Sequence, residues 1–201
     1  MGLTLNTNSL NLAVTSDSSA ASGVSTSDVT TLIKNNTPWQ YIAQLTASSS
    51  TELEYTSIPS TFSTIRIMYD GLQFYQNSAV NMRLYLDGTL ETGNLYRTAG
   101  MALSGASESN FYNTYTYWRP IDQYESGGTR HIMGFTDIGG NEKNKQKQMF
   151  NRISSVHSNV PTNYDSSGHL DTGSLNLVTG FRLYPASGNF TKGSIKIYGM
   201  N

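Results

Sequence analysis

From residue 38 onward the chain alternates hydrophobic and polar positions in short runs broken by Gly, Asp, Ser and Pro. A period of two over runs this short marks strands with one buried face. The first run, 39–47, sets Trp39, Tyr41, Ala43 and Leu45 on one face. Ser48-Ser49-Ser50 turns the chain, and 52–56 returns. The clearest strand is 62–70, with Ile65, Ile67 and Tyr69 inward, Arg66 and Met68 outward, and an Asp70-Gly71 turn at its end. In 80–86, Met82, Leu84 and Leu86 alternate with Arg83 and Tyr85, closed by Asp87-Gly88. Weaker strands follow at 95–102, at 113–120 ending on Pro120, at 131–138 closed by Gly139-Gly140, and at 146–156. In the last of these Met149 or Phe150 faces inward with Ile153. Residues 159–172 are polar and read as loop. Near the end, Phe181 and Leu183 oppose Arg182 and Tyr184, and Pro185 stops the strand. Ser187-Gly188-Asn189 then reverses the chain, and Ile195 and Ile197 alternate with Lys196 and Tyr198, so this end reads as a hairpin. The pattern predicts an all-β fold, an antiparallel β-sandwich or jelly roll with its domain at 38–201.

Residues 1–37 break the pattern. Up to residue 22 they hold no aromatic side chain and one charge, Asp17. Leu3, Leu5, Leu10 and Leu12, with Val14, are too few to build a core. This segment is expected to be an extended anchoring arm that orders on a neighbour. After it, Ser25 and Asp28 resemble a capping arrangement, and Val29, Leu32 and Ile33 share one helical face ahead of Lys34. One short helix needs a partner surface, and that face is expected to be a trimer contact.

Composition narrows the function. Charged residues are 13% of the 201, and Tyr alone numbers 13. A net charge of −1 gives no field that favours nucleic acid or an anionic membrane. Lys143, Lys145 and Lys147 read as a solvated loop rather than a nucleic-acid site. There is no cysteine, which removes disulfides, thiolate chemistry and Cys-based zinc sites. No run approaches the roughly 20 apolar residues of a membrane span, and the start lacks a signal-peptide pattern, so synthesis in a cytoplasm is expected.

Two stretches carry a resemblance. One is Gly180-Phe181-Arg182-Leu183-Tyr184, Ser187-Gly188-Asn189-Phe190 and Gly193-Ser194-Ile195-Lys196-Ile197-Tyr198-Gly199. The other is Asn36-Thr37-Pro38-Trp39-Gln40-Tyr41-Ile42 followed by Thr51-Glu52-Leu53-Glu54-Tyr55-Thr56. They resemble the C-terminal hairpin and opening strand pair of a family of tailed-bacteriophage virion proteins with a jelly-roll domain: capsid decoration or cement proteins, head fibres, and tail fibres or spikes. The resemblance implies a virion β-sandwich that forms a homotrimer. Together with the arm, it leads to the expectation of a structural, non-enzymatic component attached through its N-terminal arm to the major capsid protein or a tail or adaptor protein.

Catalytic and metal motifs are missing from the sequence. His131, His157 and His169 do not have zinc spacing, and there is no nucleophile elbow or phosphate loop. Asp137-Ile138-Gly139-Gly140-Asn141-Glu142 lacks the regular spacing of a calcium loop. No cofactor and no metal are expected. The aromatic run Phe111-Tyr112-Asn113-Thr114-Tyr115-Thr116-Tyr117-Trp118-Arg119 admits two readings. Its alternate tyrosines suit a strand packed in the core or at a subunit seam. Tyr112, Tyr115, Tyr117, Trp118 and Arg119 also suit a glycan or protein contact, which would make the chain a carbohydrate-binding receptor module of a fibre or spike.

Overall fold

The computed structural model describes residues 38–74, 78–104, 107–121, 131–157, 160–171 and 176–201. The chain divides into two compact units, Met1–Pro38 and Trp39–Asn201, and the description concerns the second. The expected arm (Leu3, Leu5, Leu10, Leu12) and helix (Val29, Leu32, Ile33) lie outside the described residues.

Trp39–Asn201 is a β-sandwich of two antiparallel sheets, with no helix among the described residues. In chain order the strands are β1 (Gln40–Thr46), β2 (Leu53–Tyr55), β3 (Thr64–Phe74), β4 (Val80–Leu86), β5 (Thr89–Leu90), β6 (Tyr96–Ser104), β7 (Ser107–Tyr115), β8 (Trp118–Ile121), β9 (Ile132–Gly139), β10 (Gln148–His157), β11 (Val160–Leu170), β12 (Val178–Pro185) and β13 (Phe190–Met200). The eight-stranded sheet runs β1-β13-β3-β9-β10-β11-β6-β7, and the five-stranded sheet runs β2-β12-β4-β5 with β8 also paired to β4.

The alternating runs bury the side chains expected of them. Ile65, Ile67 and Tyr69 on β3, Met82, Leu84 and Leu86 on β4, Phe181 and Leu183 on β12, and Ile195 and Ile197 on β13 all lie in one core. On β10 Met149 is inside and Phe150 outside. Asp87-Gly88 makes a two-residue turn, with φ of 46° and 83° joining Leu86 to Thr89. Positive φ at both central residues matches the twist of the flanking strands, and Asp-Gly tolerates it.

Several expectations need correction. The two ends of the chain do not form hairpins: β1 pairs with β13 while β2 pairs with β12, and β12 and β13 belong to different sheets. Alternation specifies a buried face but not a partner, so two strands facing each other across a core read like two strands side by side. The crossing from β1 is fixed at Ser50, which exchanges both backbone hydrogen bonds with Phe190 at 2.9 and 2.8 Å. Tyr41 is outside, not inside, because a bulge between Tyr41 and Ala43 flips the alternation. Asp70-Gly71 does not end β3. Gly71 (φ 66°) is a bulge that faces Gly193 (φ 91°) on β13, where a Cβ would meet the Gly71 carbonyl oxygen. The run 113–120 is broken in two, with β7 in the large sheet and β8 in the small one.

Residues 159–172 contain β11, an 11-residue strand between β10 and β6. Its inner face, which includes Thr162, Tyr164, Ser166 and Leu170, is half polar, so no hydrophobic alternation announces it. The polar half is satisfied internally. Thr136 donates to Asn151 Oδ1, so the Tyr69 hydroxyl must donate to Thr136 Oγ1, at 2.8 Å; Asn151 Nδ2 then donates to Ser166 Oγ at 2.6 Å. This chain runs across β3, β9, β10 and β11. Burial holds the Tyr69 phenol above its ordinary range, which keeps it a donor.

The sheets are tied together at Tyr96 and Trp118, both fully buried, with rings edge to face at 5.6 Å. The Tyr96 hydroxyl accepts from Leu84 N at 3.0 Å and donates to the Glu91 carbonyl at 3.1 Å. Trp118 Nε1 donates to the His169 carbonyl at 3.2 Å.

Candidate functional site

Cross-strand register lays out the outer face of the large sheet in rows. One row crosses every strand: Tyr41, Tyr198, Arg66, Asp137, Phe150, Ser167, Ala99 and Tyr112. Next to it toward one end lie Gln148, His169, Arg97 and Thr114. Toward the other end lie Met68, Phe135, Arg152, Asp165 and Met101, then Met133, Ser154, Asn163 and Leu103.

All six exposed large hydrophobics among the described residues share this face: Tyr41, Met68, Leu103, Tyr112, Met133 and Phe150. A folded chain tolerates scattered exposed apolar side chains, but their concentration on one sheet face marks a contact surface. Most charges of the face are paired on it; Glu108, opposite Leu103, is an exception. Arg66 makes a two-pronged bond to Asp137 at 2.7 Å and lies 4.2 Å from the ring centroids of both Trp39 and Phe135. Arg152 pairs with Asp165 at 3.2 Å, Lys196 with Asp70 at 2.6 Å, and Arg97 with Asp171 at 2.7 Å. The hydrogen bond to Asp137 holds the Arg66 guanidinium above its ordinary range. These pairs contribute little stability at the surface. Their effect is to leave a face that is nearly neutral.

Among the described residues, two grooves indent it. The larger, of about 600 Å3, has Tyr112 and Phe150 at its sides, with Ala99 and Ser167 between them and Gln148, His169 and Arg97 along its length. The second, of about 570 Å3, is bounded by Met133 and Leu103.

The aromatic run is divided by the break between β7 and β8. Tyr112 is on the outer face and 67% exposed. Tyr115 and Tyr117 stack at 5.0 Å, and the Arg119 guanidinium lies 4.8 and 5.5 Å from their centroids. Arg119 also donates to the Tyr117 hydroxyl at 2.9 Å. Trp118 is a correction: it is wholly buried, so it belongs to the core and not to a contact surface. Phe150, Gln148, His169 and Arg97 were missed as site residues. Their signal lay in the register with β11, which the sequence does not announce.

The loop after β9 is organised by an ammonium. Lys147, expected in solvent, is 1% exposed. Its Nζ donates to the carbonyls of Gly140, Glu142 and Lys145 at 2.7, 2.8 and 2.8 Å. Burial pulls its pKa below the ordinary lysine range, opposed by Asp87 and Glu142. Within the stretch weighed for calcium, Asp137 is committed to Arg66. Asn141 bridges strands instead, accepting from Val178 N at 2.6 Å and donating to the Phe62 carbonyl at 3.1 Å. Among the described residues no group of three His, Asp or Glu side chains is placed to hold a metal.

No family model, curated protein or solved structure matches this chain.

Proposed function

We propose that the chain is a structural, non-enzymatic component of a bacteriophage virion, a capsid decoration protein or short fibre. It assembles as a homotrimer through the end of the large sheet's outer face that carries Met68, Met133 and Leu103. The observation that carries the assembly is that three exposed large hydrophobics, Met68, Met133 and Leu103, gather toward this one end of the face. Aliphatic and thioether side chains make non-directional contacts that suit a protein partner. Because the arginines and Lys196 of the face are already paired with aspartates, an identical chain meets little net charge there beyond Glu108. Eight strands span roughly 34 Å, wide enough for one face to meet two neighbours in a closed ring.

The virion assignment is supported by the resemblance at residues 36–56 and 180–199. Residues 1–37, with Leu3, Leu5, Leu10 and Leu12, supply the attachment segment, since an extended chain gains affinity by laying apolar side chains into grooves of a larger assembly. The test is co-sedimentation with phage particles that lack the native copy. Full-length protein should pellet with them, and a chain lacking residues 1–22 should stay in the supernatant while melting at nearly the same temperature. Equal incorporation of the two chains would rule out the arm as the anchor.

A further inference from the structure

We infer that the larger groove on the outer face is a binding site for a neutral saccharide. The inference is independent of the oligomeric state, because the groove lies toward the opposite end of the face from Met133 and Leu103.

A sugar ring is amphipathic: its C–H face packs on aromatic rings, and its hydroxyls need donors and acceptors around the rim. The groove offers both. Phe150 on β10 and Tyr112 on β7 are 44% and 67% exposed, and they occupy the same cross-strand row. Three strand spacings separate them, roughly 14 Å, enough for a short saccharide to lie between. The two intervening positions are Ser167 and Ala99, small side chains that leave the space open. One row along, Gln148, His169 and Arg97 line the same groove. The Gln148 amide and the His169 imidazole are planar groups that hydrogen-bond vicinal hydroxyls, while Arg97, held by Asp171 and Thr114, forms part of the wall.

Charge decides between a neutral and an acidic sugar. Both arginines next to the groove are engaged: Arg97 by Asp171 and Thr114, and Arg66 by both oxygens of Asp137. A carboxylate or sulfate would have to displace an aspartate already seated, so an uncharged saccharide fits better. The Leu103 and Met133 groove has one aromatic ring, the half-buried Phe135, and so lacks the pair of exposed rings that flank the larger groove.

The experiment is binding of the full-length protein to a printed array of neutral and acidic microbial oligosaccharides, followed by titration of the best ligand. Tyr112→Ala removes an exposed side chain and should keep the wild-type melting temperature, whereas Phe150→Ala, which loses a ring contact with Phe135 at 6.2 Å, should fold with a slightly lower one. Leu103→Ser is the control at the far end. Neutral glycans should bind the wild type, with affinity about tenfold or more weaker in each aromatic variant and unchanged in the control. Absence of binding to every neutral glycan would overturn the inference. So would a preference for acidic glycans alone, or equal binding by the aromatic variants. None of these results would bear on trimer formation, which is read separately by mass.

Discussion

Trp118→Ala is expected to lower the stability of the β-sandwich by about 3–5 kcal/mol, as removal of a large buried aromatic does. Tyr112→Ala, in the same aromatic run, should stay within about 0.5 kcal/mol. The difference follows from the break between β7 and β8. Tyr112 stands on the outer face, whereas Trp118 sits fully buried against Tyr96 and donates to the His169 carbonyl. Removing the indole deletes that edge-to-face contact and takes a donor from the part-buried His169 carbonyl. Chemical denaturation of the two variants checks this. Equal midpoints would mean that Trp118 is not part of the core.

Lys147→Met is expected to cost about 3–5 kcal/mol, although methionine has nearly the same length and is more apolar. The ammonium satisfies three carbonyls of residues 140–145 at once. A thioether satisfies none of them, and the loop would have to open to water to rehydrate them. Opening it also loosens Asn141, which ties β12 and the segment before β3 to this loop. Lys145→Met, whose side chain is exposed, is the control and should be nearly neutral. Hydrogen exchange of residues 140–147 together with a melt checks it. Wild-type protection in Lys147→Met would show that the ammonium does not organise the loop.

These residues also show how far the sequence could be read. The β class, and the inward faces of β3, β4, β12 and β13, follow from period-2 alternation because Ile65, Ile67, Met82, Leu84, Phe181, Leu183, Ile195 and Ile197 fill a dry apolar core. Partnership between strands was not legible. The pattern of β12 and β13 is the same whether they are neighbours in one sheet or oppose each other across two. β11 was invisible because Thr162 and Ser166 face inward, where Thr162 donates to Ser104 Oγ and Ser166 accepts from Asn151. Lys147 was misread because lysine in a run of Asn, Gln and Lys is usually solvated; only the convergence of three carbonyls marks it as internal. The groove failed to show for the same reason as β11. Its Gln148, His169 and Arg97 come from three strands, and their adjacency depends on the unannounced one.

The outer face as a subunit surface is the central claim, and particle mass in solution tests it most directly. Light scattering of the full-length protein at micromolar concentration should give three times the 22.1 kDa chain mass. The double variant Met133→Lys, Leu103→Lys places two charges on exposed positions, so it should fold with an unchanged circular dichroism spectrum and scatter as a monomer. A monomeric wild type, or a double variant that remains trimeric, would contradict the account.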